Sequence, residues 1–158
     1  MLGRLRMTVD ECIRAYRSMA ERAFTPKRMT LLPASPSGAF SAKALEAAIR
    51  DTVKEFYPVA ECVARRAGGH STASTCVHGE AEFRDPSCTS TVVLAITKDN
   101  VGARPTLFTT YDTSSSLGGC TIWQVARATS AATTFFKPIR VGRDGIEFVD
   151  AGFGHNNP

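Results

Sequence analysis

An aspartate at the end of a predicted strand is the residue of this sequence best placed to carry chemistry. Asp150 follows the alternating segment Ile146–Val149 and begins the turn sequence Asp150-Ala151-Gly152. Loops at the carboxyl ends of strands in open α/β sheets collect functional groups, and glycine there permits close approach of the backbone. An aspartate before small residues is also the ordinary way to form a turn. Spacing alone therefore leaves Asp150 either a functional carboxylate or a structural one.

A serine in Gly69-His70-Ser71-Thr72-Ala73 superficially resembles the G-x-S-x-G turn that exposes a nucleophile. That turn requires a buried strand before the serine and a helix after it. The preceding residues are charged and the following ones read as loop. Ser71 is therefore not predicted to be a nucleophile.

Histidines and cysteines give no sign of a metal site. His70, His78 and His155 are scattered, without a partner at metal-ligand spacing. The five cysteines are an odd number without a C-x-x-C pair, which indicates reduced thiols rather than a disulfide framework or a zinc site. The chain has no signal-peptide pattern and no long apolar run. These features predict a cytoplasmic, intracellular protein that needs neither metal nor cofactor.

The composition is that of an ordinary globular domain. The chain has 158 residues, of which 43% are hydrophobic and 22% charged, and its net charge is +4. This excludes general disorder, collagen and coiled coil. The basic excess lies in residues 1–70 and comes largely from isolated arginines at helical spacing. Without interleaved aromatic residues or a reader motif, it indicates a solvated helix face and not a nucleic-acid partner.

Two amphipathic helices are predicted in the first part of the chain. Thr8 and Glu11 form a capping box, and apolar residues recur at helical spacing until Pro26. A second helix is capped by Ser41 and continues to Phe56. Residues 65–86 are rich in small and polar residues and predict a surface loop or insert.

The later part of the chain predicts strands and one more helix. The segments 89–97 and 105–111 are β-branched and apolar, and Ile146–Val149 alternates. Thr121 and Gln124 repeat the capping box before a helix that runs to about Ala131. Its alanines allow close approach to a sheet, as in a layered α/β protein.

Several segments together resemble the patatin-like phospholipases, especially the fungal members. These segments are 1–17, 81–88, 107–112, 122–138 and 148–158. The most specific are Ala126-Arg127-Ala128-Thr129-Ser130-Ala131-Ala132 with Phe135-Phe136, and Asp150-x-Gly152 with Asn156-Asn157-Pro158.

The resemblance implies a three-layer α/β/α fold with a mostly parallel sheet and a Ser-Asp dyad that hydrolyses lipid esters. Asp150 takes the place of the aspartate that serves as general base, and Gly152 supports its turn. The family's nucleophile elbow and glycine-rich oxyanion loop would fall before Met1. Residues 1–158 would then be an incomplete domain, the C-terminal part of a catalytic domain.

Such a fragment is expected to be inactive and marginally stable alone. An acyl-transfer site needs a nucleophile, a base and oxyanion donors, and only the base has a candidate here. The missing strands would leave strand edges and the apolar face of the helix over 8–23 partly uncovered. The complete parent would act on a lipid or acyl ester, with transient contact to a membrane or micelle, and can carry fused domains.

Two further points follow from the comparison with the family pattern. Ala151 stands where glycine is usual, and a positive φ there would cost about 1 kcal/mol and tilt Asp150. The alternative function is a non-catalytic or degenerate hydrolase fragment that serves as a lipid-surface or protein-interaction module.

Overall fold

The computed structural model describes residues 1–25, 39–57, 78–100, 102, 104–112 and 117–153. Its helices are α1 (Leu2–Leu5), α2 (Val9–Ala23), α3 (Ala42–Phe56) and α4 (Ile122–Thr129), with short 3-10 helices at His78–Glu80 and Ala151–Phe153. Its strands are β1 (Val92–Thr97), β2 (Thr106–Thr109), β3 (Ile139–Val141) and β4 (Ile146–Val149). Ser71, His70 and His155 lie outside the described residues.

The three predicted helices begin at their predicted caps. The Thr8 hydroxyl accepts from the Glu11 amide at 3.3 Å, and the Thr8 amide donates to the Glu11 carboxylate at 2.7 Å. Thr121 and Gln124 form the same reciprocal pair at α4. The Ser41 hydroxyl accepts from the Ala44 amide. These bonds satisfy amides that the first helical turn leaves unpaired.

The four strands form one sheet in the order β2-β1-β4-β3. All three strand pairs described are antiparallel, so the expected mostly parallel arrangement is wrong for this part of the chain. For two of the three pairs, β1–β2 and β3–β4, the connections explain the difference. Residues 98–105 join β1 to β2, and the turn Gly142–Gly145 joins β3 to β4, with positive φ at both glycines (79° and 61°). Connections this short permit antiparallel neighbours, whereas parallel neighbours need a long crossover.

The helices form a layer on one face of the sheet. Val125 and Ala128 of α4 share a buried cluster with Ala95, Phe108 and Phe148. The opposite face places Ile96 and Val149 against Ala151 of the second 3-10 helix. The mixed α/β class is confirmed. Among the described elements, however, no α-helix joins this second cluster, and the expected third layer is therefore not seen there.

Residues 78–86 differ from the surface loop predicted for 65–86, and residues 65–77 lie outside the described ranges. Ala81 and Phe83 are buried. The Phe83 amide donates to the Cys120 carbonyl at 2.8 Å, and the Ile122 amide donates to the Ala81 carbonyl at 2.9 Å. This polar sequence is packed because its backbone pairs with the segment that leads into α4, which its composition does not reveal.

A buried arginine ties α1 to the same segment. Arg4 is 3% exposed, and its guanidinium donates to the carbonyls of Phe83 and Glu82 at 3.0 and 2.8 Å. It also lies 3.3 Å from the Asp85 carboxylate. Burial alone would raise the pKa of Asp85, but hydrogen bonds from Ser87 and the nearby arginine charges hold this pKa below its ordinary value.

Helix α2 leaves apolar side chains uncovered, as the sequence predicts. Val9, Ile13 and Tyr16 are 62%, 47% and 66% exposed, whereas Ala15 and Ala23 face the core. Within the described ranges, none of the helices has the length and apolar character needed to span a bilayer.

Candidate functional site

Asp150 lies directly after β4, and its backbone is fixed by the segment that follows α4. Its amide donates to the carbonyl of Ala131 at 3.1 Å. Ala131 is fully buried, and it follows Ser130, the residue that caps the C-terminal end of α4. The position of the Asp150 main chain is therefore set jointly by the sheet and by α4.

The Asp150 side chain is half-buried and held by its own turn. Its Oδ1 accepts from the Gly152 amide at 3.1 Å. Within the described ranges, no other hydrogen bond reaches this carboxylate. A Cβ added at Gly152 would lie 3.0 Å from Oδ2 of Asp150. A side chain at position 152 would therefore crowd the carboxylate, and glycine avoids this.

Ala151 does not have a positive φ, so the condition under which its methyl group would strain the turn is not met. Arg6 is the one non-glycine residue of the described ranges with a positive φ. Ala151 lies in the 3-10 helix, 6% exposed, and packs with Ile96 and Val149. Because its φ is negative, the methyl group is accommodated as in any helical residue.

Asp150 lines an open groove of about 320 Å³. The other lining residues come from β1, from the end of α4 and from the turn: Val92, Val93, Leu94, Thr129, Ala151 and Gly152. β4 pairs with β1 through Val149 and Phe148. The chain then turns away from β1, and this leaves the groove beside β1. The β1 residues 92–94 therefore have no described strand on the β4 side.

The backbone of β1 presents polar groups to this open side. The Thr110 amide donates to the Thr91 carbonyl at 3.1 Å. Since bonded and non-bonded pairs alternate along antiparallel strands, the amides and carbonyls of Val92 and Leu94 point away from β2. The groove thus combines backbone donors and acceptors with one carboxylate.

The start of the chain lies close to this groove. A Cβ added to Gly3 of α1 would overlap the hydroxyl of Thr91, which immediately precedes the groove residue Val92. Asp150 itself is half-buried and therefore not fully exposed to solvent.

The histidine and cysteine side chains that the structure describes do not line the groove of Asp150. His78 packs against Tyr57, with ring centroids 5.3 Å apart. Cys12, Cys88 and Cys120 are free thiols, and burial raises the pKa of Cys120. Among the residues that the structure describes, no group of three or more histidine, cysteine and acidic side chains could hold a metal ion.

Sequence reasoning missed the contributions of Thr129 and of β1 to the groove. Thr129 belongs to the segment 126–132, which is one of the most specific parts of the family resemblance. Its place beside Asp150 depends on the contact between α4 and the sheet, for which no local pattern exists.

Comparison with known proteins assigns the family. The family model described as patatin-like phospholipase matches residues 1–158. No curated protein and no solved structure gives a significant match. The chain belongs to the patatin-like phospholipase family.

Proposed function

We propose that this chain is part of a lipid acyl hydrolase in which Asp150 is the general base of a Ser-Asp dyad. The serine and the oxyanion donors would come from parts of the catalytic domain outside residues 1–158. The family match supports the activity class, because members of this family act on lipid substrates. The assignment to the fungal subgroup rests only on the resembling segments quoted above.

The observation that carries the proposal is the hydrogen bonding of the two oxygens of the Asp150 carboxylate. Oδ1 is oriented by the Gly152 amide, and Oδ2 accepts no hydrogen bond from the described residues. Asp150 lines a groove that could admit a second reacting group. A general base must be held in place and still be free to accept a proton.

The proposed reaction has two steps. In the first step, the serine oxygen attacks the ester carbonyl carbon while Asp150 takes the proton of the serine hydroxyl. The leaving alcohol then takes this proton from Asp150 as the carbon–oxygen bond of the ester breaks. A water molecule attacks the acyl-serine in the second step, again giving a proton to Asp150. The proton returns to the serine oxygen as the fatty acid leaves.

Residues 1–158 alone would be an incomplete and inactive domain under this proposal. Loss of a nucleophile removes on the order of 10⁶-fold of the rate in the serine-protease case. The odd number of cysteines without a C-x-x-C pair supports a reducing, intracellular setting. The exposed apolar side chains of α2 are compatible with transient contact to a lipid surface. The alternative is a non-catalytic module that keeps only this contact.

A serine-directed phosphonate probe tests the proposal. It should label a longer protein that includes the coding region preceding Met1, and should leave residues 1–158 unlabelled. Labelling of Ser71 in residues 1–158 would overturn the proposal. A longer protein that resists labelling and hydrolyses no acyl ester would favour the non-catalytic alternative.

A further inference from the structure

A buried arginine lies near the C-terminal end of α4. Arg127 is 2% exposed, and its Nη2 donates to the carbonyl of Lys137 at 2.8 Å. Its Nη1 is also buried and donates to none of the residues that the structure describes. Burial lowers the pKa of Arg127, and the charge of the Glu46 carboxylate opposes this effect. The chain thus keeps a charged side chain at a position where loss of hydration is unfavourable.

The hydrogen bond of Arg127 connects the helix layer to the sheet. Arg127 belongs to α4, and Lys137 lies two residues before β3 (Ile139–Val141). The apolar packing of α4 on the sheet has no preferred direction, whereas a hydrogen bond fixes a distance and an angle. The guanidinium therefore sets where the end of α4 lies relative to the start of β3.

Both ends of this link lead to Asp150. On the helix side, α4 continues through Ser130 to Ala131, whose carbonyl accepts from the Asp150 amide at 3.1 Å. On the sheet side, β3 pairs with β4, which ends at Val149, directly before Asp150. The two parts of the fold that fix the Asp150 main chain are thus joined to each other by the Arg127 side chain.

Other contacts of the segment 131–137 do not make this connection. The Phe136 ring lies beside the guanidinium, with its centroid 5.9 Å from Cζ of Arg127. The Phe40 amide donates to the Phe135 carbonyl at 3.0 Å. This second bond joins the middle of the segment to the residues before α3, and it involves neither α4 nor β3.

We infer that Arg127 is a positioning residue for Asp150, because its hydrogen bond to the Lys137 carbonyl fixes the end of α4 against the strands that lead to the carboxylate. The effect on rate rests on the proposed function. The effect on geometry does not, since the contact between the Asp150 amide and the Ala131 carbonyl lies within residues 1–158. Arg127 does not line the groove, so it should act through Asp150 and not on the substrate.

The rate is tested in the longer protein with Arg127→Met and Arg127→Lys. Since a 1 Å misplacement can cost about 100-fold, Arg127→Met should lower kcat for acyl-ester hydrolysis about tenfold or more, with KM nearly unchanged. Arg127→Lys keeps a charged donor without the planar fork and should lose less. Arg50→Met is the matched control and should keep the wild-type kcat. Arg50 also contacts α4, with its Cζ 4.1 Å from the ring centroid of Trp123, but at the opposite end of the helix.

A second measurement separates positioning from loss of stability. Arg127→Met is combined with Asp150→Asn in the longer protein. A variant that is merely destabilised would lose the same factor in rate in both backgrounds, because the two effects would be independent. Once the base is removed, loss of a positioning residue should change the residual rate by less than about twofold. Equal factors in the two backgrounds would overturn the inference.

Amide hydrogen exchange tests the geometry in residues 1–158, where no serine is needed. Exchange at the Asp150 amide is compared with exchange at the Phe83 amide, which donates to the Cys120 carbonyl and reports general opening. Either folded Arg127 variant should accelerate exchange at Asp150 relative to Phe83, by about tenfold for methionine, and Arg50→Met should not. Unchanged relative exchange in the folded Arg127 variants would overturn the inference. Faster exchange at Asp150 together with a longer protein that hydrolyses no ester would contradict only the proposed function.

Discussion

The Gly152 amide donates to Oδ1 of Asp150 at 3.1 Å, and a Cβ on Gly152 would lie 3.0 Å from Oδ2 of the same carboxylate. Residue 152 thus orients Asp150 through its backbone, and the absence of a side chain leaves room for the second oxygen.

Gly152→Ala should therefore displace the carboxylate by a few tenths of an ångström without unfolding the chain. Since a 1 Å misplacement can cost about 100-fold in rate, we expect about a 10-fold loss of ester hydrolysis in the longer protein. Gly102→Ala is the control, because its Cβ would meet Asn100 at 3.9 Å, an ordinary contact. Equal rates for the two variants would show that the turn does not position Asp150.

Thr8→Ala removes the cap of α2. The Thr8 hydroxyl accepts a hydrogen bond from the Glu11 amide, and the alanine variant loses this bond. The free energy of unfolding of residues 1–158 should therefore fall by about 1 kcal/mol in denaturant titrations. Ser18→Ala, at an exposed position of the same helix, should have little effect. A cap variant as stable as the Ser18 variant would contradict this account of how α2 begins.

Asp85→Asn breaks the buried ion pair between Asp85 and Arg4. The Arg4 side chain is 3% exposed and the Asp85 side chain 15% exposed. Breaking such a pair leaves a buried charge and should cost about 3 kcal/mol near neutral pH. Asp51→Asn, which breaks an exposed pair with Arg22, is the matched control and should cost at most about 1 kcal/mol.

Acid should erase the difference between wild type and Asp85→Asn. The pKa of Asp85 is lowered in the folded chain, so the stabilisation is present above the ordinary carboxyl value of about 3.9. It is lost as pH falls through the lower folded pKa. A difference in unfolding free energy that stays constant from neutral pH to well below this value would contradict the role of the ionised pair.

The uncovered apolar side chains of α2 predict self-association of residues 1–158. Val9 and Ile13 are 62% and 47% exposed, and contiguous exposed apolar surface promotes aggregation. Ile13→Lys should reduce the concentration dependence of light scattering. Ser18→Lys adds the same charge to the same helix without removing apolar surface. If both variants behave alike, charge and not the apolar face controls solubility.

Local patterns predicted α2, α3 and α4 because their signals lie within a few residues, whereas α1 (Leu2–Leu5) was not predicted. Thr8 with Glu11 and Thr121 with Gln124 are contiguous capping boxes, and both form as predicted. The short strand β3 (Ile139–Val141) was not predicted, since it is too brief to show a period.

The groove could be predicted only in part. The position of Asp150 after a strand is visible in the sequence. Its neighbours are not, because Thr129 and Leu94 reach the groove through the packing of α4 and the register of β1. Sheet direction also depends on pairing between distant segments, and the resemblance suggested parallel strands where the described pairs are antiparallel.

Replacing a single carboxylate by its amide in the longer protein is the most direct test of the dyad. Asp150→Asn should lower the rate of acyl-ester hydrolysis by at least about 100-fold, because an amide cannot accept the serine proton. Asp144→Asn, an exposed aspartate in the turn between β3 and β4, should hydrolyse at the wild-type rate. Hydrolysis by Asp150→Asn at the rate of Asp144→Asn would contradict the assignment of Asp150 as the base.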